Sequence, residues 1–123
     1  MADTPSSSGI RELLQESTDL RATILDLGES SIRHITKSDL TLLLISGVYS
    51  RAAGKEIERI CGQSKNSVGL DFSEIKPHPA TRKKFDGSIV ALLRTARERL
   101  HNKGVELFIC APPSELIDLL KLT

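Results

Sequence analysis

The sequence predicts a single α/β domain in which helices pack against a mixed, mostly parallel sheet. Short apolar runs alternate along the chain with longer stretches whose apolar residues recur every three or four positions, which is the period of a helix. Glycine or proline separates most of these segments. A length of 123 residues suits one domain with a sizeable core. Because strands that alternate with helices usually lie parallel, we expect much of the sheet to be parallel.

Three apolar runs are predicted to be buried strands. Residues 40–47 (LTLLLISG) end in glycine and have the profile of a central strand, and residues 68–73 and 105–111 are similar runs. Residues 32–35 predict a further short strand, which would pair antiparallel with the first run. The apolar alternation in residues 20–27 is weak, so this stretch is open between a strand and a helix.

Three segments are predicted to be helices. Residues 52–61 carry apolar side chains on one face and are followed by Gly62, which indicates the end of a helix. The longest helix is predicted over residues 87–103, and a final helix begins after Ser114, a suitable N-cap. Residues 74–85 contain two prolines and a basic cluster, and they are predicted to form a loop.

The α/β domain is predicted to span residues 32–123, and two segments precede it. Residues 1–9 (MADTPSSSG) are polar and predict a disordered tail. Residues 10–31 predict an N-terminal extension that is partly helical, and its apolar residues at helical spacing are Ile10, Leu13 and Leu14. We expect this acidic extension to dock on a basic part of the chain or to extend a homodimer.

Charge is unevenly distributed, although the net charge is only +1. Residues 1–30 hold six acidic and two basic side chains, whereas residues 76–103 hold eight basic and two acidic ones. A basic bias in the middle of the chain suits an acidic partner surface or phosphate groups, and it also suits a solvated helix face beside a basic loop.

Composition and motif content exclude several functions. With three Phe, one Tyr, no Trp and a nearly neutral charge, the chain lacks the features of a nucleic-acid-binding domain. The histidines and cysteines share no metal-ligand spacing and no glycine-rich phosphate-binding motif occurs, so we expect no metal, no cofactor and no enzymatic activity. Without a signal peptide or a long apolar stretch, we expect a cytoplasmic protein with no membrane insertion.

Several segments match one known pattern in their order and spacing. Residues 39–50 (DLTLLLISGVYS) form a predicted strand that ends in glycine before a short polar turn, and residues 70–73 have the sequence LDFS. Residues 86–89 (DGSI) open the long helix, residues 104–111 (GVELFICA) follow it, and residues 113–123 form the last helix. In this order the segments resemble the STAS domain, the fold of bacterial anti-sigma-factor antagonists, over about three quarters of the chain.

The resemblance implies a non-enzymatic signalling protein that regulates transcription. Members of the family bind a serine-kinase anti-sigma factor through the start of the second helix and nearby loops, and the sigma factor is released. The kinase then phosphorylates a serine at that helix start, and the complex dissociates. On this chain the resemblance places the partner-binding surface at Tyr49, Ser50, Arg51, Asp86, Gly87, Ser88 and Val90.

The chain departs from the family pattern at the residue that is phosphorylated. Gly87 occupies the usual acceptor position, and Ser88 follows it, about 100° further around the helix. Ser88 is therefore the candidate for phosphorylation here. A second interpretation is that Asp86 and Ser88 cap the long helix, and capping and partner contact can coexist.

Two other functions are open from the sequence. STAS domains also serve as scaffolds in stress-signalling particles and as cytoplasmic partners of lipid-transport ATPases, and the loss of the acceptor serine favours such a structural subunit of a larger assembly. A weaker alternative is the sensing of a nucleotide or another small ligand at the carboxyl ends of the strands, with help from Lys83 and Lys84.

Overall fold

The computed structural model describes residues 21–121, which form five strands and three helices. The tail predicted at residues 1–9 and the helix predicted near Ile10 lie outside the described residues. The expected α/β architecture with a mixed sheet is confirmed. In chain order the elements are β1 Arg21–Asp26, β2 Ser30–Lys37, β3 Leu40–Val48, α1 Arg51–Gln63, β4 Ser67–Lys76, α2 Ser88–His101, β5 Leu107–Cys110 and α3 Ser114–Lys121.

The strands lie in the sheet in the order in which they follow along the chain. β1 pairs antiparallel with β2 and β2 antiparallel with β3, whereas β3–β4 and β4–β5 are parallel pairs. Two of the four described strand pairs are antiparallel and two are parallel, so the prediction of a mostly parallel sheet is wrong. Within the stretch left open by the sequence, Arg21–Asp26 supplies the additional antiparallel strand, because the short turns at Gly28 and Ser38 allow only hairpin connections.

The start of the sheet lies within the residues that were assigned to the N-terminal extension. β1 begins at Arg21, and its six residues pair with β2 from Arg21–Thr36 to Asp26–Ser31. All six residues of β1 are exposed, so this edge strand contributes little to the core. The sheet therefore extends beyond the predicted domain boundary at residue 32.

One face of the sheet packs against the helices and forms the core. In β3 and β4 alternate side chains are buried, as expected for strands with one covered face. The apolar stripe predicted for the long helix is buried as a whole and faces the same core. The largest fully buried side chains include Phe72, Ile32, Leu43, Ile45, Ile57, Leu70, Ile89, Leu100 and Leu116.

Both ends of α1 are fixed by side chains. Ser50 is the N-cap, and its hydroxyl accepts a hydrogen bond from the Ala53 N–H at 3.2 Å. The helix continues past Gly62, where the sequence predicted its end. Lys103, from the turn after α2, donates its Nζ protons to the carbonyl oxygens of Cys61 and Gly62, each at 2.9 Å. A cation at this position also interacts favourably with the helix dipole, so Lys103 fixes the end of α1 against α2.

Candidate functional site

The candidate site lies where the parallel strands β3 and β4 end. Parallel neighbours have their carboxyl ends at the same edge of a sheet, and the loops that follow them meet there. Tyr49 and Ser50 connect β3 to Arg51, the first residue of α1, while the residues after Lys76 connect β4 to α2. The residues of the predicted partner-binding surface lie in these two connections or in the first turns of the helices that follow them.

Phe85 joins the second connection to the core. Its side chain is only 3% exposed although it lies in a loop. The ring packs edge-on against Phe72 of β4, with centroids 5.1 Å apart, and against Tyr49 at 5.6 Å and a tilt of 57°. Tilted and edge-to-face pairs of this kind are favourable beyond the area that they bury. Phe85 thus holds Asp86, the next residue, beside the Tyr49 loop.

Glu115 fixes the same loop from the other side. Both oxygens of its carboxylate accept hydrogen bonds from the Lys84 N–H, at 2.9 and 3.0 Å, and one also accepts from the Phe85 N–H at 3.0 Å. A carboxylate that receives backbone N–H groups forms strong, charge-assisted bonds. Sequence reasoning missed this contact, because Glu115 is 30 residues away and its only local signal is an acid in the first turn of α3.

Asp86 accepts hydrogen bonds from the first turn of α2. Its Oδ1 accepts hydrogen bonds from the Ser88 N–H at 2.9 Å and from the Ser88 hydroxyl, and its backbone carbonyl accepts from the Ile89 N–H at 3.2 Å. The interpretation that Asp86 and Ser88 cap the helix is wrong, because Gly87 is the N-cap, α2 has no side-chain cap, and the two side chains bind each other. Because both side chains are also exposed, they can still contact a partner.

Gly87 has no conformational need to be glycine. Its φ and ψ of −62° and −18° are those of a right-handed helix, and the residue is exposed. Among the described residues no atom lies within 4 Å of the Cβ that another amino acid would add. The structure could therefore accommodate a serine at position 87 without a steric clash or backbone strain.

Tyr49 is the most strongly perturbed group at this site. Burial of the ring raises the pKa of its phenol to about 12, and the nearby carboxylate of Asp86 acts in the same direction. The hydroxyl lies over α1, where a Cβ on Gly54 would come within 2.5 Å of the Tyr49 oxygen. The close approach of this ring explains why Gly54 carries no side chain.

Two adjoining grooves are formed at this edge of the sheet. The larger groove, about 630 Å³, is lined by Tyr49, Asp86 and Gly87 together with the basic loop and the start of α3. The smaller one, about 210 Å³, lies between the first turns of α1 and α2 and is lined by Tyr49, Arg51 and Ser88 among others. We call residues 49–51 and 86–88 the corner, since these six residues form one continuous edge of the molecule.

Not all of the predicted residues belong to the corner. Val90 is half-buried and lines a different groove, of about 840 Å³, between α2, β5 and α3. Ser50 lies in the corner, but its hydroxyl caps α1. The loop before α2 closes on itself, with the Arg82 N–H donating to the His78 carbonyl at 2.7 Å, and it places Lys83 and Lys84 along the larger groove.

Within residues 21–121, no group of three or more His, Cys, Asp and Glu side chains is arranged to hold a metal ion. In the same part of the chain, every helix is too short or too polar to cross a membrane. Comparison of the chain with models of known protein families gives no match, and comparison with curated proteins gives none either. The function is therefore argued from the geometry of the corner and from the order of the elements.

The raised pKa of Tyr49 can be tested directly, because this is the only tyrosine of a chain without tryptophan. In a near-ultraviolet titration of the folded protein, we expect phenolate to form with a midpoint of about 12, against about 10 in denaturant. Asp86→Asn should lower the folded midpoint only in part, because burial is the larger cause. Asp118→Asn, in the same groove, is the matched control and should leave the midpoint unchanged.

The same titration fixes the sign of the effect on stability. Because the pKa of Tyr49 is higher in the folded state than in the unfolded chain, the neutral phenol contributes its full stabilisation below pH about 10. This contribution is lost as the pH rises towards about 12. A folded midpoint close to that of the denatured chain would contradict the buried placement of the ring.

Proposed function

We propose that this chain is a non-enzymatic, cytoplasmic regulatory domain that binds another protein through the corner, as the anti-sigma-factor antagonists that it resembles do. The observation that carries the proposal is the convergence of the β3–α1 and β4–α2 connections on one aromatic base, formed by Tyr49, Phe72 and Phe85. This base holds exposed polar side chains in fixed positions, which lowers the cost of ordering them on binding.

The chemistry of the corner suits a protein partner. Arg51 and Asp86 are exposed charges of opposite sign, and Ser88 adds an exposed hydroxyl. Lys83 is also exposed and lines the larger groove, where it adds a positive charge beside the corner. A partner that presents an acidic group beside hydrogen-bond donors fits this arrangement. We take the partner to be a serine-kinase anti-sigma factor, because the resemblance implies that class.

A negative charge on Ser88 would oppose binding. The Ser88 hydroxyl donates to the carboxylate of Asp86, so a phosphate at this oxygen would break that bond and repel the carboxylate. The nearby N–H groups at the start of α2 favour an anion on the free protein. Inside an interface, however, the added charge must also lose its water. Phosphorylation of Ser88 would therefore favour the free protein over the complex.

A structural subunit of a larger assembly is the second candidate function. Gly87 favours it, because the position at which the family carries its acceptor serine has an exposed backbone and no hydroxyl. A domain without that acceptor would stay bound to its partner in the presence of ATP. The two candidates thus share the corner as the binding surface and differ in whether the kinase reaction can release the complex.

Ser88→Asp should weaken binding if the corner is the interface. By calorimetric titration with the serine-kinase anti-sigma factors of the same organism, we expect the dissociation constant to rise about tenfold or more, since a charge would be buried beside Asp86. Gln63→Glu is the matched control, because it adds the same charge at the exposed opposite end of α1. Equal affinities of the wild type and both variants would contradict the proposed interface.

Gly87→Ser should restore the release switch. We expect the variant to fold with a free energy of unfolding within about 1 kcal/mol of the wild type, since the backbone is helical and the space is open. With kinase and ATP, mass spectrometry should find phosphate on residue 87 of the variant, and its complex should dissociate while the wild-type complex persists. Rapid release of the wild-type complex with phosphate on Ser88 would show that Ser88 itself is the switch.

A further inference from the structure

The five-stranded sheet has a second face on which none of the described helices packs. The buried strand residues, such as Leu43 and Leu70, share one core cluster with the helices. The side chains that alternate with them point to the opposite side, which we call the outer face. Neither Leu42 nor Leu44 belongs to the core cluster or to the partly buried side chains packed against it.

The register of the strands places an apolar row across the whole outer face. Paired residues lie on the same face of a sheet, and one set of partners crosses all five strands: Ala22, Ile35, Leu42, Gly69 and Phe108. The next row on this face contains Ile24, Arg33, Leu44, Asp71 and Cys110. At the two edges of the sheet, Ile24 is 69% and Phe108 47% exposed.

A face of this composition is unusual for a sheet in contact with water. When one face of a sheet is in water, the residues on that face are normally polar and alternate along each strand with the apolar residues of the core face. Here the row on the outer face is apolar from one edge of the sheet to the other. Four strand spacings give it a width of about 19 Å. Contiguous apolar surface of this kind usually marks a contact with another segment or another protein.

The residues directly before β1 have the composition to cover this row. The sequence places Ile10, Leu13 and Leu14 at helical spacing, with charged and amide side chains on the opposite side at Glu12, Gln15, Glu16 and Asp19. On the outer face, Lys37 lies at the end of the sheet that this segment enters. Arg33 and Asp71 lie level with each other in the second row, and Glu74 lies nearer the other end of the strands.

The distances allow the segment to reach across the sheet. It ends at Arg21, the first residue of β1, and Ala22 is the first member of the apolar row. Six residues lie between Leu14 and Arg21, and a helix over residues 10–20 would be about 16 Å long, which covers most of the width of the row. We propose that residues 10–20 of this chain fold back over the outer face and bury its apolar row, in place of docking on the basic segment.

Cys110 is a native reporter for this contact. Its side chain belongs to the outer face and is partly exposed among the described residues, so a covering segment would shield it from a thiol reagent. Cys61 is the internal reference, because it is fully buried on the core side and burial raises the pKa of its thiol to about 11. Only Cys110 should therefore report changes at the outer face.

The test is the rate at which a maleimide modifies Cys110 in the full chain. We expect Leu14→Glu to raise the rate about tenfold or more, because the charged side chain no longer stabilises the covered state. Gln15→Glu, one position away on the polar side, is the matched control and should leave the rate unchanged. Ile24→Ser should also raise the rate, although Ile24 lies four strands away from Cys110 and is already exposed, so the fold does not depend on it.

Two results would overturn the proposal. If Leu14→Glu and Ile24→Ser leave the Cys110 rate at the wild-type value, the segment does not cover the face. If protection of Cys110 in the wild type appears only at concentrations at which light scattering finds a dimer, a second copy covers the face. Protection that is independent of concentration and is lost in both variants supports the assignment to residues 10–20. Neither result depends on the partner of the corner.

Discussion

Burial of Phe85 is the constraint on which the rest of the site depends. Its ring is the point at which the β4–α2 connection enters the core, between Phe72 of the central sheet and Tyr49 of the neighbouring connection. Without this anchor the loop after Lys76 would be held mainly by the hydrogen bonds that its N–H groups donate to Glu115. With it, Asp86 lies next to Tyr49, and two separate connections present one surface. Burial of the Tyr49 ring, which packs against Phe85, raises the pKa of the phenol, and the carboxylate of Asp86 adds to this shift.

Much of the fold could be predicted because burial leaves a pattern in the sequence. The apolar stripe of the long helix has the spacing that a helix requires, and it is buried as expected. Residues 40–47 form a strand as predicted, but only alternate side chains are buried, so the prediction of a wholly buried strand is wrong. The alternation around β1 is weak, since all of its residues are exposed, and from the sequence residues 20–27 are therefore open between a strand and a helix. Because this strand adds an antiparallel pair, the predicted proportion of parallel pairs is too high. An exposed edge strand forms because its backbone hydrogen-bonds to a neighbouring strand. This pairing produces no apolar pattern in the sequence of the strand itself.

The site was predictable to the extent that it follows from strand order. Loops after adjacent parallel strands must meet, so residues 49–51 and 86–88 come together. Val90 does not join them because it lies two positions after Ser88, about 200° around α2, and therefore faces another groove. The contacts of Glu115 with the loop depend on the folded arrangement of α3, for which the chain offers no local signal.

The corner lies at the carboxyl ends of β3 and β4, whereas the outer face is the side of the sheet away from the described helices, so the two proposed contacts would use separate surfaces. The central claim is that Phe85 holds the corner together in the free protein. It is tested most directly by nuclear Overhauser measurements on the full chain, which contains one tyrosine and three phenylalanines. Ring centroids 5.6 Å apart predict clear cross-peaks between the Tyr49 and Phe85 ring protons. Cross-peaks from Phe85 to Phe72 alone, with none to Tyr49, would contradict a preformed corner.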